Sequence, residues 1–556
     1  MRIRQTEVVP REMFPSSCKL LHEDGFFVFS SSKQNLFIGK ELVKMFLKIS
    51  LLVVFFAVMI SVGLYCRKHS TDVNGFVLGG RSVGPWLTAF AYGTSYFSAV
   101  IFVGYAGQFG WKFGIASTWI GIGNAVIGSL LAWIVLGRRT RLMTQHLDSS
   151  TMPEFFGKRF DSSSLKIFSS ILVFVFLIPY TASLYNGLSR LFEMAFPMIS
   201  YNTCVIVMAI LTGIYVIAGG YMATAINDFI QGIIMLVGIV AVIGSVLNSQ
   251  GGFMEALRGL GEIPCENLNG GFGSFLGPDP FNLFCVVILT SLGTWGLPQM
   301  VQKFYAIKSE SNIAKGTIIS TIFALIVAGG CYFLGGFGRL FSDKFNIING
   351  VPEGGFDAII PKMLENLPTL LIGIVIVLVL SASMSTLSSL VLTSSSTLTL
   401  DMIKGHIVKN MSEKKQVFVM RVLVVFFIAI SAFIAINKDK LGYIADMMGI
   451  SWGALAGAFL APFLLGLYWK KATKAAVWVN FTFSAVLMIA NMVVRSSFPA
   501  MLQSPINCGA AAMILGFVIV PVVSILTRKP DADSVNKMFE CYNADVTVKS
   551  KKSLGE

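Results

Sequence analysis

The sequence predicts an all-α integral membrane protein of about thirteen helices crossing a bilayer, with the amino end outside and the carboxyl end inside. Three observations predict it. Of 556 residues, 54% are hydrophobic and 13% charged, where an average soluble domain carries about 25% charge. Apolar windows long enough to cross about 30 Å of hydrocarbon recur from residue 45 to residue 527. The loops between them alternate between cation-rich and cation-poor, the pattern that sets membrane orientation.

In chain order the windows fall near 45–65, 86–108, 114–137, 166–195, 202–219, 225–248, 281–302, 316–340, 368–399, 417–436, 443–468, 476–494 and 508–527. The cation-rich loops hold Arg67, Lys68 and Arg81; Arg138, Arg139, Arg141, Lys158 and Arg159; Lys303, Lys308 and Lys315; Lys404, Lys409, Lys414 and Lys415; Lys470, Lys471 and Lys474; and finally Arg528 and Lys529. These face the cytoplasm. The net charge of +14 is thereby spread in short clusters, and forms no stripe of the kind that holds nucleic acid. The eight cysteines include no CxxC pair and lie mostly in apolar runs, so they read as core filler with no zinc site or disulfide framework.

Residues 1–44 break the charge pattern, because their seven cations would lie outside. They read as a leader, either a disordered tail or the product of a misread start upstream of Met45, since no uninterrupted signal-like apolar core is present. The membrane domain is placed at 45–527, with core repeats at about 86–248 and 281–468, and residues 528–556 form a short cytoplasmic tail.

A membrane helix hides its own backbone polar groups, so unwound backbone survives at mid-membrane where it lines a cavity or binds something. The second window centres on Gly93, Thr94, Ser95 and Ser98, a weak helix-forming patch between apolar halves. The seventh contains Gly293, Gly296 and Pro298. The two are five windows apart, as inverted repeats of five helices would place them, each repeat opening on a broken helix. Packing glycines and ordinary proline kinks explain such residues better in isolation. The ninth window adds a third signal: twelve of the nineteen residues at 381–399 are Ser or Thr. Some of those hydroxyls serve helix seams. So dense a cluster also suits a hard alkali cation that takes oxygen ligands. All four histidines lie outside the windows, which disfavours a histidine proton relay. Asp228, with Gln231 three residues on, is the conspicuous acid, read either as functional or as a water-facing residue at a helix start.

With these residues in view the chain resembles the sodium/solute symporter family, which includes the sodium/proline and sodium/glucose carriers. The resemblance rests on GGRSVGPW at 79–86, TMPEFFGKRF at 151–160, YNGLSRLFE at 185–193, the glycine pair followed by DxxQG that begins at Gly219, and ASMSTLSS at 382–389. It implies a leucine-transporter-like fold of 5+5 inverted repeats, with one sodium between the second and ninth windows. By motif the ligands are the carbonyls of Thr94, Phe97 and Ala382 and the hydroxyls of Ser385 and Thr386. Asp228 and Gln231 match a polar pair on the sodium release path, and Arg81 a cytoplasmic gate. Tyr96 stands where the proline carriers have an acid, and the sugar carriers' polar groups are missing. Ser98, Ile101, Tyr180, Ser291, Thr294, Trp295 and Gln299 are the expected cavity lining, half of them by packing alone.

The expected function is sodium-coupled symport of a small organic solute, an amino acid, carboxylate or similar, by alternating access in the plasma membrane of a bacterium. Sodium is carried, no organic cofactor or nucleic-acid partner is expected, and the chain works as a monomer or weak oligomer. A proton-driven or facilitative carrier is the alternative, followed by a transporter-like sensor or channel. No nucleophile with its base, metal cluster or phosphate loop is recognisable, so an enzyme is not expected.

Overall fold

The computed structural model describes residues 31–67, 72–196, 198–265, 271–348, 350–408, 410–437 and 444–544. Most of the proposed leader therefore lies outside the described residues, as do Lys68 and Lys409. The chain forms two compact units, residues 1–49 and 50–556. Helix α1 (Ser31–Cys66) already starts upstream of Met45.

The sequence from 72 onward is helical nearly throughout. Helix α2 (Pro85–Tyr96) opens on extended Gly84 with Pro85 in its first turn, where a missing N–H removes nothing the helix needs. It stops at Phe97, whose backbone is extended at φ −99° and ψ 131°. After a π-helical turn (Val100–Tyr105) the chain resumes as α3 (Ala106–Phe113). Gly114, at φ 60° and ψ −141°, ends α3 and redirects the chain into the helical run 118–146. There follow α4 (Ser163–Ala195) and α5 (Tyr201–Ser249), the latter interrupted at Gly220 with φ 56° and ψ −151°. Helix α6 (Pro280–Val287) passes through π and 3-10 turns to extended Leu297, then continues as α7 (Pro298–Tyr305). The two arms are bent by 45°. The remaining long helices are α8 (Glu310–Gly335), α9 (Thr369–Thr397), α10 (Glu413–Ile436), α11 (Ile444–Tyr468), α12 (Lys474–Val493) and α13 (Pro505–Leu526). A short α14 (Ala532–Phe539) and a 3-10 turn (Glu540–Asn543) close the described chain.

Among the described residues ten helices are long and apolar enough to cross a membrane, and eleven if the bent pair is one span. The sequence windows number more because breaks split or merge them. The window 86–108 is divided at Phe97, the run Val100–His146 carries parts of two windows, and windows 202–219 and 225–248 share α5.

Burial separates a core from a periphery. The apolar stretches of α9 and α11 are 72% and 83% buried inside the protein, those of α10 and α13 39%. Helix α9 packs against α2, α4, α5, α7 and α10, and so touches α2 and α7, which flank the two extended breaks at Phe97 and Leu297, as well as α5. Small residues permit the close crossings. A Cβ on Gly93 of α2 would lie 2.5 Å from the Phe323 ring of α8, and one on Gly110 of α3 1.9 Å from the Gly335 carbonyl oxygen.

Candidate functional site

The gap in α2 and the hydroxyl-rich half of α9 face each other. All twelve Ser and Thr side chains from 381 to 399 are buried. Four of them, Ser388, Ser395, Ser396 and Thr399, donate to carbonyls three or four residues back on their own helix, which satisfies the hydroxyl without a partner helix. Others reach across. Ser385 donates to the Thr94 hydroxyl at 2.8 Å, and Thr386 to the Phe97 carbonyl at 3.1 Å. Thr386 lies equally far from the Ala382 carbonyl. The extended backbone at Phe97 is what leaves its carbonyl available, since only its N–H bonds within α2, to Thr94 O at 3.2 Å. Thr94, Phe97, Ala382, Ser385 and Thr386 thus converge on one small volume with oxygen as the only polar element offered.

Beside this cluster lies a second network that the sequence did not reveal. The Ser389 hydroxyl stands 3.0 Å from that of Ser95 and accepts from Lys303 Nζ at 2.9 Å. Lys303 is 3% exposed and pairs with fully buried Asp228 at 3.8 Å. The reading of Lys303 as a loop cation is therefore corrected: it is the last-turn lysine of α7, folded inward because an intramembrane carboxylate needs a counter-charge. One residue earlier, Gln302 accepts from Thr393 of α9 at 2.8 Å and donates to the Val77 carbonyl at 3.2 Å. Gln231 shares the buried neighbourhood of Asp228 but donates to the Met59 sulfur at 3.2 Å.

Arg81 follows Gly79 and Gly80, and all three hold left-handed backbone at φ 53° to 69°. The turn aims its guanidinium at the Ser149 carbonyl, 2.7 Å away. Next to it Val83 donates to the Ala306 carbonyl at 3.3 Å, and Arg141 to that of Ile307 at 2.6 Å. The segment before α2, the end of α7 and the 146–151 turn are thereby tied together on the basic side.

The expected cavity residues divide. Ser291 donates to the Asn124 side chain at 2.9 Å, Thr294 to the Ser291 carbonyl at 2.8 Å and Trp295 to the Ile127 carbonyl at 3.0 Å. Ser98 Oγ, Tyr180 OH and Trp452 Nε1 are buried together, with Tyr180 facing the other two, and Gln299 Oε1 is buried without a hydrogen-bond partner. The Trp452 ring stands edge-on to Tyr180 and Tyr96, at centroid distances of 5.9 and 6.3 Å. Ile101 is fully buried. Trp452 and Asn124 were not read from the sequence; an indole between glycines in α11 gave no periodic signal. On the opposite end from Arg81 a cavity of about 710 Å³ opens between α3, α6 and the start of α13, lined in part by Gln108, Lys112, Asp279, Arg339 and Asn507.

An apolar bundle in which one interrupted helix presents unwound backbone to a hydroxyl-lined helix, and a second interrupted helix meets the same helix through Gln302 and Lys303, has the architecture of a secondary carrier of the leucine-transporter-like class. The chain belongs to the sodium:solute symporter family, whose model matches residues 76–482. It is 28% identical over 487 residues to the osmoregulated proline transporter OpuE of Bacillus subtilis (strain 168), covering 86% of this chain and 94% of that protein. It is 31% identical over 499 residues to the sodium/proline symporter of Staphylococcus aureus (strain JH9), covering 87% and 93%. The solved structure of a Na+-coupled sialic acid symporter, substrate-bound and outward-open, matches with a TM-score of 0.69 at 17% identity, covering 87% of this chain and 99% of that one. That likeness establishes the fold.

Proposed function

We propose that this chain couples the inward movement of sodium to uptake of a small organic solute, an amino acid or similar carboxylate, by alternating access. The observation that carries the reading is the meeting of Thr94, Phe97, Ala382, Ser385 and Thr386, whose hydroxyls and carbonyls approach within 2.8 to 3.1 Å. Sodium entering from outside replaces those hydrogen bonds with its own coordination and holds α9 against the gap in α2. The solute then meets the buried polar atoms of Ser98, Tyr180, Gln299 and Trp452. Rocking of the bundle opens the basic side by parting the contacts of Arg81, Val83 and Arg141. Sodium leaves as α9 draws away from α2, passing Asp228.

One sodium crossing about 100 mV supplies about 2.3 kcal/mol, and a tenfold gradient about 1.4 more. Together these support roughly 500-fold accumulation of a neutral solute. Two relatives carry proline in their names, so proline is the first solute to test. The assay is thermal unfolding of the purified protein with proline, other amino acids, carboxylates and sugars, each in sodium and in potassium. A solute that stabilises in sodium alone supports the reading; equal stabilisation in potassium overturns it.

A further inference from the structure

The cavity of about 710 Å³ at the end remote from Arg81 takes no part in the sodium cluster, and the charge of the loops places it on the outer side. Its size is that of a small-molecule site, and its walls carry charges of both signs. Lys112 of α3 is exposed, with its ammonium 5.2 Å from the centre of the Phe356 ring. Arg339 lies between Trp111 and Phe272, at 4.6 and 4.2 Å from their rings, and its Nε donates to the Trp111 carbonyl at 2.8 Å. That clamp leaves the forked end of the guanidinium to another acceptor. Neither cation forms an ion pair among the described residues.

Two acids are close enough to act on the Lys112 charge, Asp446 and Asp279. Asp446 is taken up by Arg495 at 3.1 Å. Asp279 caps α6 by accepting from the Asn282 N–H at 3.1 Å and meets no cation. Gln108, one turn before Lys112 on α3, is 4% exposed, and its Oε1 accepts from no group in the protein. A buried amide oxygen of this kind calls for a donor that the protein does not supply. Phe109, Phe113 and Val286 complete the wall with apolar surface.

We infer that this cavity is an outer binding site for an amino-acid zwitterion, with its carboxylate on Arg339 and Lys112 and its ammonium on Gln108 Oε1 and Asp279, and that it fills without sodium. A simple carboxylate leaves Asp279 and the Gln108 oxygen unanswered, and a simple amine leaves the two cations so. A molecule bearing both charges on one short backbone satisfies both sets and lays its side chain on the phenylalanines. Fixed charges in a recessed mouth raise the local concentration of a complementary solute. The site thereby gathers solute ahead of the gap in α2, a role that rests on the uptake reading above, whereas the binding itself does not.

Cys265 lines the same cavity and is the one described free cysteine that is not buried, so its reactivity reports occupancy. Purified protein in choline chloride is treated with methyl methanethiosulfonate, an uncharged thiol reagent, and modification of Cys265 is followed by mass spectrometry. L-Proline and L-leucine are expected to slow it, and the halves of proline, cyclopentanecarboxylate and pyrrolidine, to slow it far less at equal concentration. Lys112→Gln changes an exposed residue and Asp279→Asn keeps the helix cap; each should raise the half-protecting concentration roughly two- to fivefold. Unchanged rates with both amino acids, protection by cyclopentanecarboxylate equal to that by proline, or protection unaltered in both variants overturns the inference. Protection that needs sodium and vanishes in Thr386→Ala also overturns it, while upholding the sodium cluster. Protection in choline that persists in Thr386→Ala supports the outer site even if sodium proves to bind nowhere.

Discussion

Thr386→Ala tests the sodium cluster at its most connected atom. The Thr386 hydroxyl lies 3.1 Å from both the Phe97 and the Ala382 carbonyl oxygens, so its removal leaves two carbonyls facing a methyl-sized gap and one fewer oxygen for the ion. A contact between a polar group and a charge is worth about 1.5–3 kcal/mol. Since about 1.4 kcal/mol is tenfold in affinity, the half-saturating sodium concentration should rise roughly 10- to 150-fold. The fold itself loses less, about 1 kcal/mol for a net buried hydrogen bond, partly offset by the better helix propensity of alanine. The melting temperature of detergent-purified protein, titrated with sodium chloride at ionic strength held constant by choline chloride, reports the sodium affinity. Thr386→Ser keeps the hydroxyl and should stay within about threefold of the wild type. Equal weakening by Ala and Ser, or none by either, refutes the assignment of this oxygen to the ion.

Three further outcomes are expected. Gly93→Ala places a Cβ 2.5 Å from the Phe323 ring, which costs about 1–3 kcal/mol of overpacking and lowers the melting temperature; adding Phe323→Leu restores it if that crossing is the cause. Gly220→Ala forces a side chain onto φ 56° backbone and within 2.8 Å of Phe76, so it should lose at least about 1 kcal/mol and give less folded protein in size-exclusion chromatography; wild-type behaviour would show the interruption in α5 to be dispensable. Burial pushes Asp357, in the segment between α8 and α9, from 3.8 up to about 6, against the pull of the Ile444 N–H and the Arg190 charge. The folded protein holds this proton more tightly than the unfolded chain, so stability should fall on the order of 2–3 kcal/mol as pH rises from about 4 to about 6. Asp357→Asn should flatten that part of a melting-temperature profile, and an unchanged slope would exonerate Asp357.

Much of the site was legible because membrane helices advertise their exceptions. Hydroxyls in an apolar helix are visible against leucine and valine, and glycine with threonine at mid-span marks a break, so the two segments stood out by composition, while the choice of Thr94, Ser385 and Thr386 within them came from the family resemblance. Which hydroxyls cross to α2 was not legible. Ser388 and Ser385 have the same composition around them, and only rotation of the helix decides that Ser388 donates to the Ser385 carbonyl of its own helix and Ser385 to the Thr94 hydroxyl. Lys303 was hidden by the rule that read it, since Lys303, Lys308 and Lys315 follow an apolar window as cytoplasmic cations do. The cavity side of α6 to α7 was lost for a different reason. The π turn at Ile288–Leu292 shifts the side-chain phase relative to a 3.6-residue period, turning Ser291, Thr294 and Trp295 toward the 124–128 run.

The polar tail also proves to be a fitted part. Arg139 is stacked between Tyr468 at 4.0 Å and Tyr542 at 4.5 Å, and Arg159 lies over Phe539 at 5.2 Å, so α14 bolts the end of α11 to the arginines at 138–159. Cys541 is 8% exposed under this stack, and burial pushes its thiol up to about 11, which leaves little thiolate to react at neutral pH. Any motion that lifts the tail exposes a fresh nucleophile. With partly exposed Cys265 replaced, the rate of Cys541 alkylation would report how often α14 leaves the arginines beneath it.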